Sequence, residues 1–233
     1  MSSFVKNPVQ VAETVGQIFG DDLHAMRVLS LANSVTGTVD AAVLSIHAIG
    51  RGYAHVANTK EKHGVKQTDR MLGNKGIDVW LLFRPWAQFV VGARKEIVFA
   101  LDWTEFDADD HATLAGYLIT SHGRATPLIW MTVSKATLKN KRNDHEYRLI
   151  ERLHECLAED VKITLLADRG FGDQKLYRFL QTLGWDFVIR FRGAIQVENA
   201  EGTRKSANAW VPETGRATMI RGARVTRTKA EVP

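Results

Sequence analysis

Cysteine is almost missing from this chain. Cys156 is the single one in 233 residues, which excludes an internal disulfide framework and a thiolate zinc cluster. It sits in the helical pattern Glu151 to Ala158 and reads as a small buried hydrophobe in a protein of a reducing compartment. No run of about 20 apolar residues exists; the most apolar stretch, Ile77 to Ala93, is interrupted by Arg84-Pro85 and reads as a core helix. The opening Met-Ser-Ser-Phe-Val-Lys-Asn-Pro lacks the apolar centre of a secretory signal, so the expected location is the cytoplasm, with no membrane partner. Internal repeats and low-complexity tracts are absent as well. At 45% hydrophobic and 24% charged, the composition excludes disordered and fibrous classes.

What is present is a segregated charge. Residues 1–95 carry 11 Lys/Arg against 7 Asp/Glu, residues 96–186 carry 11 against 15, and residues 187–233 carry 9 against 4. An acidic centre between basic flanks suits a protein that grips a polyanion at its edges and holds a cation in the middle. It suits ordinary scatter of surface charge equally well.

Residues 1–95 read as helical, with apolar spacings of three and four over Val9 to Phe19, Asp22 to Leu31, Ala41 to Ile49, Gln67 to Leu72 and Ile77 to Gly92. Basic residues at Arg51, Lys60, Lys62, Lys66, Arg70 and Lys75 make this segment compatible with a DNA-binding module, or with a small bundle that has a solvated basic face. From Glu96 the pattern turns to strands: Ile97 to Asp102, Thr113 to Thr120 and Thr126 to Val133, the last two joined by the turn Ser121 to Arg124. A helix over Asp144 to Leu157, a strand over Ile163 to Ala167, a helix over Gln174 to Leu183 and a strand over Asp186 to Phe191 follow. Asp144 and Glu146 stand at the start of the first of these helices, where carboxylates favour the helix dipole. Three strands, helix, strand, helix, strand is the element order of the ribonuclease-H-like fold, in which the first and fourth strands are neighbours. Residues 194–233 turn rich in Arg, Thr, Gly, Glu and Ala, with candidate strands at Ala194 to Glu198, Ala217 to Arg221 and Arg224 to Thr228.

Two apolar strands each run into an aspartate, Asp102 and Asp168. Such runs read as buried strands, whose ends are where open α/β sheets place ligands. On neighbouring strands the two like charges would need a shared proton or a hard cation. Singly, an aspartate after a strand is more often a loop or cap residue.

The strings Phe99-Ala100-Leu101-Asp102-Trp103-Thr104, Leu138 to Asp144 and Leu166-Ala167-Asp168-Arg169-Gly170-Phe171-Gly172-Asp173 are backed by Leu176-Tyr177 and Phe187-Val188-Ile189-Arg190. Together they resemble a DDE transposase of bacterial insertion sequences, of the IS-four type, over about residues 68–193. The resemblance implies an α/β fold with three parts. A helical DNA-binding domain at 1–95 precedes the first part of a ribonuclease-H-like catalytic core at 96–193, and 194–233 begins a β-rich insertion that is cut short. It also implies strand cleavage and transfer at the terminal inverted repeats of a mobile element, a DNA target, a homodimer in the full-length family, and a nucleoid location. Asp102 and Asp168 match the family's first two catalytic acids, ligands for two Mg²⁺ or Mn²⁺ ions. The third acid, a glutamate within Tyr-x2-Arg-x3-Glu-x6-Lys, is not found between Gly193 and Pro233. The chain is therefore expected to be an incomplete or inactive transposase, a DNA-binding fragment that inhibits transposition, or a non-functional remnant.

Lesser candidates surround this core. Lys139, Lys141, Arg142 and Arg169 are candidate phosphate contacts, although a solvated run explains the first three as well. Glu105, Asp107, Asp109 and Asp110 read as a solvated acidic loop. Trp80, Trp86, Trp103, Trp130 and Trp185 fall in apolar runs and read mostly as core, while His145 and His154 suit surface or capping positions. A haloacid-dehalogenase phosphatase would want an acid at Thr104, two residues past Asp102, which counts against it.

Overall fold

The computed structural model describes residues 7–121, 123, 125–225 and 230–231. The chain divides into two units, Met1–Phe89 and Val90–Pro233.

In the first unit, Asn7 accepts a hydrogen bond from the Val9 N–H and Pro8 stands at the first position of α1, Pro8–Phe19, a favourable helix start. α2, Ala25–Ala41, and α3, Ile46–Val56, are separated by a break across which the axis turns through 96°. A continuous helix over Ala41 to Ile49 is thus corrected. Ala42 takes a left-handed φ of 52° and ends α2, and the Ser45 side chain caps α3 by accepting from the Ala48 N–H at 3.1 Å. α4, Glu61–Leu72, crosses α3 where two glycines meet: a Cβ on Gly64 would lie 2.1 Å from the Gly50 carbonyl oxygen, and one on Gly50 only 2.4 Å from Val65 Cα. α5, Val79–Val91, continues through Pro85. No single helix among the described residues is long and apolar enough to cross a membrane.

The second unit holds the ribonuclease-H-like arrangement. β1, Glu96–Phe106, β2, His111–Ile119, and β3, Ala125–Ser134, form an antiparallel meander; His122 and Arg124 of the expected turn lie outside the described residues. α6, Arg142–Cys156, leads to β4, Lys162–Ala167, which runs parallel to β1. α7, Gln174–Thr182, then leads to β5, Asp186–Ile189, parallel to β4. The sheet order is β3-β2-β1-β4-β5, so the first and fourth strands are neighbours as the element order predicts.

Alternation along β1 sets the core. Ile97, Phe99 and Leu101 are buried on one face, where the Trp185 ring meets Phe99 edge-on at 6.1 Å. Leu149, Ile150 and Leu153 of α6 and Leu176 and Leu180 of α7 are fully buried. The opposite face of the sheet is partly open. Val98, Ile119 and Val188 remain exposed, and the register Asp102↔Ala115↔Trp130 places Trp130 on the Asp102 face. Trp130 is therefore 40% exposed and not a core residue.

Beyond β5, a second sheet has the order β7-β6-β8-β9. Its strands are β6, Gln196–Glu198, β7, Arg204–Ser206, β8, Arg224–Val225, and β9, Ala230–Glu231, with the short helix α8, Ala207–Trp210, after β7. The strand expected over Ala217 to Arg221 is loop, with Met219 80% exposed and no pairing strand among the described residues. Residues 226–228 of the expected last strand lie outside the described residues.

Candidate active site

Asp102 and Asp168 reach one sheet edge by register. Leu101 is opposite Ala167 in the parallel β1–β4 pair, and each aspartate is the next residue along its strand direction. Adjacent strands lie about 4.8 Å apart, so two exposed carboxylates stand on neighbouring backbones. One detail differs from expectation. Asp102 does not end its strand: β1 runs on to Phe106 because its antiparallel pairing with β2 continues, Asp102 opposite Ala115. Asp168 does lie just past β4, and its Oδ1 accepts the Gly170 N–H at 2.7 Å, capping the turn Arg169–Phe171.

The other face of β1 is braced. Trp103 follows Asp102 and so faces away from it, and its Nε1 donates to Glu146 Oε1 of α6 at 2.9 Å. Glu146 is only 4% exposed. Burial pushes its carboxyl above the usual carboxylate range, against the pull of the Trp103 hydrogen bond and the Arg142 charge. It does not play the solvated dipole role expected of a carboxylate at a helix start. The Arg142 guanidinium lies 5.0 Å from the Trp103 ring centre and donates to Glu105 at 2.5 Å. Lys135 pairs with Glu105 at 3.2 Å and with Asp107. Their hydrogen bonds to these cations lower the pKa values of both acids, so half of the supposed solvated loop is tied in place. The His145 ring stands edge-on to Trp103 at 6.5 Å. Trp185 Nε1 donates to His154 Nδ1 at 3.3 Å, so the exposed His154 serves as the acceptor for a core indole.

Asp173 joins the two helices. It accepts from Asn143 Nδ2 at 2.9 Å and from the Tyr147 hydroxyl at 3.0 Å, and caps α7 through the Lys175 N–H at 3.3 Å. Burial first, and this carboxylate second, raise the Tyr147 pKa.

Among the sequence candidates, Asp102 and Asp168 are brought together, with Arg169 exposed directly beside Asp168. Lys139 and Lys141 are exposed on the loop before α6, and Arg142, the first residue of that helix, is engaged with Trp103 and Glu105. Sequence reasoning missed Glu146 and Asp173 as structural partners. A signal existed for Glu146: it shares helical spacing with Leu149, Ile150 and Leu153, which puts a carboxylate on the buried stripe.

Two oxygen-donor side chains suit a hard divalent cation. Among the described residues, however, no third His, Cys, Asp or Glu joins them in a group able to hold a metal. The fit is that of part of a ligand set.

No curated protein matches the chain. Residues 93–231 match the Transposase DDE domain family, a span that holds the whole five-stranded sheet, both aspartates and the second sheet. With that match covering more than half of its length, the chain belongs to the transposase DDE domain family.

Proposed function

We propose that this chain acts on the DNA ends of a bacterial insertion sequence of the IS-four type, with Asp102 and Asp168 as two carboxylates of its phosphoryl-transfer centre. The observation that carries this reading is their register on adjacent parallel strands inside the family match. Bound at such a pair, Mg²⁺ or Mn²⁺ supplies Lewis-acid polarisation of a phosphoryl oxygen and a lowered pKa for bound water. The chain's own contribution is placement. β1 and β4 hold the two carboxylates side by side, the Gly170 N–H orients the Asp168 oxygen, and Arg169, Lys139 and Lys141 offer cationic contacts to DNA phosphate. The helices of residues 1–95 recognise the terminal inverted repeats, and two copies bring the two ends together as a homodimer.

The test is nicking of a duplex carrying the element's inverted repeat, with Mg²⁺ or Mn²⁺ added. Cleavage that Asp102→Ala and Asp168→Ala both abolish supports the reading; cleavage that survives in either variant defeats it.

A second reading is favoured because, among the described residues, no third carboxylate joins the pair in a group able to hold a metal. In that case the chain binds inverted repeats without cutting them and competes with a complete enzyme. Binding without nicking, together with inhibition of a complete transposase added in the same assay, is its signature.

A further inference from the structure

The first unit contains a groove of about 670 Å³ between α2 and α4. His63, Lys66, Gln67 and Arg70 recur at spacings of three and four, one face of α4, and all line it. The acids of the same helix, Glu61 and Asp69, do not. Lys66 and Arg70 are exposed and have no carboxylate partner among the described residues, whereas Lys95, Lys135, Arg142 and Arg152 are each neutralised in place. From α2, Met26 and Leu29 are 63% and 47% exposed beside the cations.

A concave surface with unneutralised cations and no acid in its lining attracts a polyanion. The exposed apolar side chains beside them suit the sugars and thymine methyl groups of a duplex better than water. A 12-residue helix spans about 18 Å, and a major groove about 12 Å wide admits it. The competing basic stripe on α3, His47, Arg51 and His55, is weaker because His55 is already bonded to Asp40 at 3.2 Å.

We infer that the α2–α4 groove is the surface on which this chain holds double-stranded DNA, with Lys66 and Arg70 on its phosphates. The inference rests on the proposal that DNA is the partner, and it assigns the contact to α4 rather than α3.

The experiment uses the full chain and a duplex enriched by it from a random library, with affinity measured by fluorescence anisotropy across about 50 to 200 mM salt. Lys66→Ala/Arg70→Ala is expected to weaken binding tenfold or more. It should also make the log–log salt dependence shallower by about 1.8, the loss of two phosphate contacts. Lys66→Arg/Arg70→Lys should keep both, and matching circular dichroism shows that each variant is folded. A wild-type chain that enriches and binds no duplex defeats the DNA reading, and this inference with it. A wild-type chain that binds while the alanine pair retains its affinity and salt slope leaves the DNA reading standing and overturns the groove. Loss produced by Arg51→Ala instead, or tighter binding to single-stranded RNA than to duplex, overturns it too.

Discussion

Trp103 Nε1 donates to Glu146 Oε1 at 2.9 Å, tying the residue after Asp102 to a buried carboxylate on α6. The bond fixes β1 against the helix layer from the face opposite the aspartates. Removing Trp103 leaves a buried carboxylate unsatisfied, and removing Glu146 leaves a partly buried indole N–H without its acceptor. Glu146→Ala should therefore cost about 1–3 kcal/mol in urea unfolding, and Glu146→Gln, which retains a carbonyl acceptor, should cost less.

The same pair predicts a pH dependence. Because burial raises the Glu146 pKa above its ordinary value of 4.5, the folded chain holds this proton more tightly than the unfolded one. Its contribution to stability is fully present below pH 4.5 and is lost as pH rises through the folded value. Glu146→Gln cannot ionise. Its stability relative to wild type should therefore climb as pH increases from that point, as read from unfolding midpoints in a pH series.

Asp102 and Asp168 carry like charges on adjacent strands. Asp102→Asn should be neutral to stabilising by about 1 kcal/mol in chelator. Mn²⁺ should raise the melting temperature of the wild type and not of the variant; at ten times the dissociation constant the gain is about 1.4 kcal/mol. Equal Mn²⁺ shifts in the two proteins would remove Asp102 from the metal site.

The crossing of α3 and α4 gives a contrast between two glycine substitutions. A Cβ on Gly64 would sit 2.1 Å from the Gly50 carbonyl oxygen, so Gly64→Ala should destabilise by about 1–3 kcal/mol or more. Gly16 lies inside α1 with nothing within 4 Å of its added Cβ. Gly16→Ala should stabilise by about 0.5–1 kcal/mol. Thermal unfolding of both variants measures the two signs.

Asp173 accepts three hydrogen bonds from α6 and from the first turn of α7. Asp173→Ala should lose about 1–3 kcal/mol, the cap plus the uncompensated Tyr147 hydroxyl. Tyr147→Phe in the same background should recover part of the loss, and a double-mutant cycle on unfolding free energies checks it.

Local signals in the amino-acid sequence were enough for the element order from β1 to β5 and for the two strands that carry Asp102 and Asp168 to one edge. Alternating β-formers, helical spacing and a glycine at a helix end, as Gly184 with its φ of 71° stands just beyond the Gln174 to Leu183 pattern, are nearest-neighbour effects that need no distant partner. The strings around Asp102 and Asp168 carried the family in the same way. Tertiary structure alone decided what those strings stand against. The β2–β3 register turns Trp130 to the Asp102 face, where it is exposed although its apolar run resembles core. Glu146 is buried because Trp103, 43 positions earlier, offers it an N–H. α2 and α3 separate at Ala42, where apolar spacing predicted one helix, because Ser45 caps the next turn. Each of these depends on a face or partner that a sheet register or helix crossing supplies, and such long-range pairings leave no period in the chain.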